Sequence, residues 1–127
     1  MVNRAGDWLA QADRDLRHAE SSRNAEEHEW ACFAAHQAAE KAVKALHLSR
    51  GQEARGHVIA RLLEELPVSV PQGLLDAAKV LDGSYIPSRY PNSHPEGAPF
   101  EHYGPLQSEE AIRYAGEIVG FVHSQMA

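Results

Sequence analysis

The residue types best suited to chemistry are concentrated in one proline-rich stretch of this sequence, residues 86–106. The stretch reads IPSRYPNSHPEGAPFEHYGPL and contains one arginine, two histidines and three aromatic side chains. An arginine guanidinium can bind two oxygens of a phosphate group, and a histidine exchanges a proton near neutral pH because its ordinary pKa is about 6.5. These residue types suit phosphate binding and proton transfer, but the residues alone do not say which of them act together.

Other familiar chemistries are not indicated by the sequence. His94, Glu101 and His102 match no familiar spacing of metal ligands, and no cysteine joins them, so we predict neither a metal nor a cofactor. The segment GQEARG lacks the Gly-Lys-Ser or Gly-Lys-Thr ending that a phosphate-binding P-loop needs. A Ser-His-Asp set cannot be picked out from the sequence.

Length and charge limit the classes of function. The chain has 127 residues, which we interpret as one domain over residues 1–127, and 43% of them are hydrophobic, enough for a packed core. The net charge of −6 argues against DNA binding and against any broad surface that tracks a phosphate backbone. A small site in which one or two arginines meet a phosphate remains compatible with that charge.

Targeting signals and cysteine usage favour a cytoplasmic protein. No apolar run approaches the roughly 18 residues of a membrane span, and the N-terminus MVNRAGDW has no signal-peptide core. The single cysteine, Cys32, cannot form an intrachain disulfide, so a reducing compartment is expected. We therefore predict no membrane partner.

A scaffold must position the proline-rich stretch, and its centre is predicted over residues 30–48, WACFAAHQAAEKAVKALHL. This segment contains seven alanines, and alanine has the best intrinsic helix propensity. Trp30 and Phe33 fall mainly on the sides that the alanines leave open, and Glu40 precedes Lys44 by four residues in the favourable order. The pattern predicts the central helix of an all-α, up-and-down bundle of four to five helices.

Shorter amphipathic stretches supply the remaining helices. The predicted elements are a first helix over about residues 4–20, a capping box of Asn24 and Glu27 before the central helix, a third helix over residues 57–66 with Val58 in its buried stripe, a fourth helix after Pro71, the proline-rich loop, and a last helix capped by Ser108. Five of the seven prolines lie in that loop and exclude a regular helix there. A loop of about 20 residues is often functional, and a flap whose aromatics plug the bundle is the alternative.

Four segments in this order resemble one known family. They are Asp15-Leu16 in the first helix, QAAEKAVKAL over residues 37–46, His57 before the third helix, and YIPSRYP over residues 85–91. Together they resemble the HEPN domain, the higher eukaryote and prokaryote nucleotide-binding family, over nearly the whole chain. The resemblance implies a four- or five-helix up-and-down bundle that is usually dimeric. Many bacterial members are encoded beside a small nucleotidyltransferase and act as its partner in toxin–antitoxin pairs.

The resemblance also implies a catalytic motif. Active members of the family are metal-independent ribonucleases whose motif is an arginine, four to six residues and a histidine, at a site formed where two copies meet. Arg89 and His94 have four residues between them and fit this spacing. Arg89 would then hold the phosphate while His94 acts as base or acid. The alternative is that Arg89 pairs with a helix acid and His94 is an exposed loop residue.

Lys41 and His57 are further candidates for phosphate binding beside Arg89. A solvated, ion-paired position is the favoured interpretation of Lys41, and local hydrogen bonding is the favoured interpretation of His57, with a phosphate contact as the alternative for each. We predict a homodimeric partner of a nucleotidyltransferase that binds nucleotide or RNA. The alternative prediction is a ribonuclease toxin that uses Arg89 and His94.

Overall fold

Six α-helices make up a bundle in this computed structural model, which describes residues 3–127. The helices are α1 (Ala5–Asn24), α2 (His28–Ser49), α3 (Ile59–Glu64), α4 (Gln72–Asp82), α5 (Pro99–His102) and α6 (Pro105–Met126), with a 3-10 turn at Pro91–Ser93. No strand occurs in the described part of the chain, so the predicted all-α fold with a proline-rich segment before the last helix is confirmed. The described helices number six rather than four to five, because the proline-rich segment, in which no regular helix is predicted, contains the four-residue α5 with Pro99 at its first position. Within residues 3–127, none of the helices has both the length and the apolarity to cross a bilayer.

Helix α2 lies at the centre of the bundle and contacts all five other helices. Its alanines share almost complete burial: Ala31, Ala34, Ala35, Ala38, Ala39, Ala42 and Ala45. Small side chains allow both α1 and α6 to pack closely against this helix, and this explains the alanine pattern. Trp30 is different, because 49% of its surface is exposed.

The other helices complete the core with the apolar stripes that the sequence predicts. Fully or nearly fully buried are Ile59, Leu62 and Leu63 of α3, Leu74, Ala78 and Leu81 of α4, and Ala115, Ile118, Val119 and Val122 of α6. The exception is Val58, which is 53% exposed because α3 begins only after it. Cys32 lies in the core, and burial raises the pKa of its thiol to about 12.

Two predicted helix caps are wrong. Helix α1 extends through Asn24, so this residue does not cap α2, and the chain turns between the helices with Glu26 in the left-handed region at φ 62°. Helix α6 begins at Pro105, whose fixed φ suits a first helical position. The N–H of Gly104 donates to Gln107 Oε1 at 2.8 Å, and Ser108 is buried inside the helix.

Helix α3 is shorter than predicted, and its start is set by a residue distant in sequence. The backbone N–H groups of Ile59 and Ala60 donate to the two carboxylate oxygens of Asp82, at 2.8 and 3.1 Å. A carboxylate at this position satisfies free amides and faces the positive end of the helix dipole. Asp82 thus fixes α3 to the end of α4 and constrains the position of His57, which lies two residues before the helix begins.

Candidate functional site

The guanidinium of Arg89 lies on an aromatic surface formed by Phe33, Tyr85 and Tyr90. Its central carbon is 4.4 Å from the ring centroid of Phe33, 4.7 Å from that of Tyr85 and 5.0 Å from that of Tyr90. Arg89 Nε donates to the Tyr85 carbonyl at 3.0 Å. Within residues 3–127 the terminal nitrogens of Arg89 have no hydrogen-bond partner and no acidic residue pairs with them. The side chain is therefore fixed from behind, with its terminal nitrogens free to bind an anion.

Tyr85 connects Arg89 to two histidines. The His57 ring stacks on the Tyr85 ring with centroids 5.0 Å apart and planes 18° apart. The buried His36 ring lies 4.8 Å from the same centroid. Arg89 and His57 therefore contact a common aromatic ring, although they are distant in sequence.

Glu40 lies behind His57 and holds it. Glu40 Oε1 is 3.1 Å from His57 Nδ1, and Glu40 Oε2 accepts a hydrogen bond from Lys44 Nζ at 3.0 Å. The Glu40 side chain is only 6% exposed, so both of its oxygens need these partners. The predicted pairing of Glu40 with Lys44 is confirmed, and it belongs to a larger buried arrangement.

His36 holds the backbone of the same loop. Its Nε2 lies 3.1 Å from the carbonyl oxygen of His57 and 3.2 Å from Asp82 Oδ1. Because both partners are acceptors, Nε2 carries the hydrogen, and the opposite nitrogen, Nδ1, faces Glu40 Oε1 at 3.9 Å without a hydrogen bond. We call Glu40, Lys44, His36, His57 and Asp82 the Glu40 network.

His94 makes its contacts with other residues of the proline-rich segment. Its Nε2 donates to the Pro87 carbonyl at 2.7 Å, and its ring stacks on His102 with centroids 4.1 Å apart. His102 in turn donates to the Glu96 carbonyl at 2.6 Å. In the described part of the chain, neither a hydrogen bond nor a ring contact joins His94 to Arg89. Within residues 3–127 of a single chain, Arg89 and His57 therefore contact the same ring, that of Tyr85, whereas no contact joins Arg89 to His94.

Lys41 occupies a different position from Arg89. Its ammonium pairs with Asp15 of α1, and this ion pair ties α2 to α1. Lys41 also lines a groove of about 290 Å³, whose other lining residues are Asp15, His18, Trp30, Phe33, Ala34 and Gln37. The Lys41 ammonium already has Asp15 as its partner. Phe33 lines the groove and also contacts the Arg89 guanidinium, so the groove adjoins the aromatic surface around Arg89.

Elsewhere in residues 3–127 the surface is less suited to a ligand. A hollow of about 640 Å³ beside the end of α2 includes Glu53, Arg55, Arg61 and Glu65 in its lining, and the charges of these residues cancel. No cluster of three or more histidine, cysteine, aspartate or glutamate side chains within residues 3–127 is arranged to hold a metal ion. The aromatic surface around Arg89 is the best-defined candidate site.

Comparison with known proteins identifies the fold family. A family model described as the HEPN domain matches residues 5–125. This chain belongs to the HEPN domain family. The HEPN resemblance of its separate segments is thus confirmed over nearly the whole length, and no curated protein matches the chain.

Several solved structures are similar to this HEPN domain. TT1696 from Thermus thermophilus is 54% identical, has a TM-score of 0.96 and aligns over 98% of this chain and 99% of its own. The archaeal HEPN homologue ST0689 is 41% identical, has a TM-score of 0.86 and aligns over 99% and 100%. The HEPN domain protein tm0613 from Thermotoga maritima is 32% identical, has a TM-score of 0.77 and aligns over 93% and 95%.

Several residues of the candidate site were missed or undervalued by sequence reasoning. Tyr85 belongs to the motif YIPSRYP and to the predicted apolar face of the fourth helix but has no predicted function, and neither Asp82 nor His36 is a predicted site residue. The available signal was that Glu40, His57 and Tyr85 all lie in the segments that carry the HEPN resemblance. Only the folded chain shows that these residues contact one another.

Proposed function

We propose that this HEPN-domain protein binds the phosphate group of a nucleotide or of RNA at Arg89. Support comes from the guanidinium, which three rings and the Tyr85 carbonyl hold in place while its terminal nitrogens lack partners within residues 3–127. A planar guanidinium held in this way can bind two phosphate oxygens at once with little further loss of conformational freedom.

The surroundings of Arg89 favour a single-stranded or mononucleotide ligand. Tyr90 and Trp30 each expose about half of their surface, 48% and 49%, close to the guanidinium and to Phe33. Exposed aromatic rings bind unpaired bases by stacking. The chain has a net charge of −6 and so lacks the broad basic surface that a long duplex requires.

Arg89→Ala is expected to weaken binding of a short single-stranded RNA by about 10- to 100-fold, because hydrogen bonds to charged groups contribute about 1.5–3 kcal/mol each. Fluorescence anisotropy with a labelled RNA in EDTA would measure this change. Arg113→Ala is the matched control, since Arg113 also lies over a tyrosine ring, 4.7 Å from the centroid of Tyr114, but belongs to α6. Equal binding by the parent and Arg89→Ala would remove the proposed site.

A homodimer that partners a nucleotidyltransferase is the proposed assembly. The HEPN resemblance implies both associations, and exposed apolar side chains are available for them. Phe100 of α5 is 65% exposed and Leu106, near the start of α6, is 80% exposed. Surfaces of this kind are often covered by another protein.

We expect light scattering to give twice the chain mass of 14.0 kDa. Co-purification with a nucleotidyltransferase encoded beside the gene would test the second association, with Leu106→Ser expected to reduce it. A 14.0 kDa species at micromolar concentration would contradict the dimer.

Metal-independent RNA cleavage by Arg89 and His94 is the second candidate function. One observation favours it: the Pro87 carbonyl accepts the hydrogen of His94 Nε2, so the neutral ring carries its lone pair on Nδ1. A base needs such a lone pair. Because one chain does not bring the two side chains into contact, a second copy would have to place its His94 opposite Arg89.

A further inference from the structure

A carboxylate–histidine pair contacts the same tyrosine ring as the guanidinium of the proposed phosphate site. We infer that His57, oriented by Glu40, is the residue that transfers protons to and from RNA bound at Arg89. The inference rests on the proposed function, because it requires a phosphodiester at the guanidinium. His57 and Arg89 contact the same Tyr85 ring, with the His57 centroid at 5.0 Å and the Arg89 central carbon at 4.7 Å.

The direction of the His57 ring suits a general base. The Glu40 carboxylate can only accept, so His57 Nδ1 donates to it, and the lone pair of the neutral ring lies on Nε2. Nε2 has no hydrogen-bond partner in the described part of the chain, and the His57 side chain is 55% exposed. In many catalytic sites, the base that activates the nucleophile is itself oriented by a third group.

Both the backbone and the side chain of His57 are held in place by hydrogen bonds. His36 donates to the His57 carbonyl, and Glu40 accepts from the ring, so backbone and side chain are each held by a buried residue of α2. Gly56, immediately before it, adopts φ 94°, a conformation that other residues rarely take. Such preorganisation lets a base act without first losing conformational freedom.

His94 lacks these features within one chain. Its ring is covered on one side by His102 at 4.1 Å, and its hydrogen-bond partner is a neutral backbone carbonyl rather than a carboxylate. A carboxylate stabilises the imidazolium that forms when a base accepts a proton, and a carbonyl does so less strongly. The geometry therefore favours His57 over His94 beside the guanidinium of the same chain.

The reaction conserves atoms and protons. His57 Nε2 accepts the proton of a ribose 2′-hydroxyl, and the 2′-oxygen forms a bond to the adjacent phosphorus. The bond from phosphorus to the 5′-oxygen breaks, and the proton held by His57 is returned to that oxygen. The products are a 2′,3′-cyclic phosphate and a free 5′-hydroxyl. Arg89 stabilises the negative charge that grows on the non-bridging oxygens.

Charged and titratable side chains from three parts of the fold surround His57. The titratable and charged groups that face it are Glu40, Lys44 and His36 of α2, Asp82 of α4, and Tyr85 and Arg89 of the segment that follows α4. Glu40 is the group in direct contact with the ring. Glu40→Gln keeps an acceptor oxygen but removes the charge that would stabilise the imidazolium, so this variant should have a lower kcat than the parent.

The test measures cleavage of a 5′-labelled RNA in EDTA by the full-length protein. The parent is expected to release products with a 2′,3′-cyclic phosphate, and His57→Gln should lower kcat by about 100-fold or more. His123→Gln is the matched control, because His123 also pairs with a carboxylate, Asp13 at 2.8 Å, on an exposed surface elsewhere. Circular dichroism would confirm that His57→Gln is folded, as expected for a half-exposed residue.

Separate outcomes distinguish this inference from the proposed function. Binding of 2′-O-methyl RNA, which cannot be cleaved, tests the Arg89 site alone. A parent protein that binds this RNA but cleaves no RNA overturns the role of His57 and leaves phosphate binding intact, whereas absence of binding overturns both. If His94→Gln lost cleavage while His57→Gln kept full activity, the proton-transferring residue would be His94 and not His57. Nitrogen-15 NMR that finds the hydrogen of neutral His57 on Nε2 would also overturn the inference.

Discussion

Asp82→Ala is expected to lower the free energy of unfolding by about 2–4 kcal/mol, a large share of the stability of a small domain. The carboxylate accepts the N–H groups of Ile59 and Ala60 and lies 3.2 Å from His36 Nε2. Alanine would leave two amides at the start of α3 without partners and would remove a favourable charge at the helix dipole. Urea denaturation followed by circular dichroism would measure the loss.

Asp76→Ala provides the control for this substitution. Asp76 lies on the same helix, is exposed and bonds only the Gln72 side chain, so its removal should change stability by no more than about 0.5 kcal/mol. Asp82→Asn, which retains one acceptor oxygen, should fall between the two. Equal stability of the Asp82→Ala and Asp76→Ala variants would show that the carboxylate does not hold α3.

Ala39→Leu should destabilise the bundle by about 2–3 kcal/mol. Ala39 is fully buried in α2, which is enclosed by neighbouring helices, and overpacking of a dense core costs about 1–3 kcal/mol. The added atoms would have to displace a helix rather than a flexible side chain. Thermal and urea unfolding would give the size of the effect.

Ala10→Leu makes the same chemical change on an exposed face of α1 and is the appropriate comparison. Leucine and alanine are both good helix formers, so this variant should remain within about 0.5 kcal/mol of the parent. If both leucine variants proved equally stable, the alanines of α2 would not be needed for close packing.

Most of the fold could be predicted because its signals are local. The alanine spacing of α2 and the apolar stripes of α4 and α6 repeat at the period of a helix, and the structure buries these residues. Helix boundaries were harder, since the cap of α6 depends on Pro105 and Gln107 rather than on Ser108. The start of α3 could not be found locally, because its amides bond Asp82, which lies more than 20 residues away.

The candidate site was predicted only in part. Arg89 and His57 were named from the resemblance, but nothing in their spacing indicates that both contact Tyr85. The interpretation of Lys41 as an ion-paired residue agrees with its contact with Asp15. The arrangement of Glu40 behind His57 depends on how the loop before α3 folds over α2, and a sequence pattern does not encode that distance.

The contact between Asp82 and the start of α3 has a consequence for folding cooperativity. Helix α3 has only six residues, and isolated helices shorter than about 12–15 residues are marginal in water. Because the acceptor for its first amides belongs to α4, α3 gains these bonds only once α4 has docked. The two helices should therefore open to solvent exchange as one unit, and the loop that carries His57 opens with them. A partly unfolded chain would accordingly lose the Glu40–His57 pair along with α3.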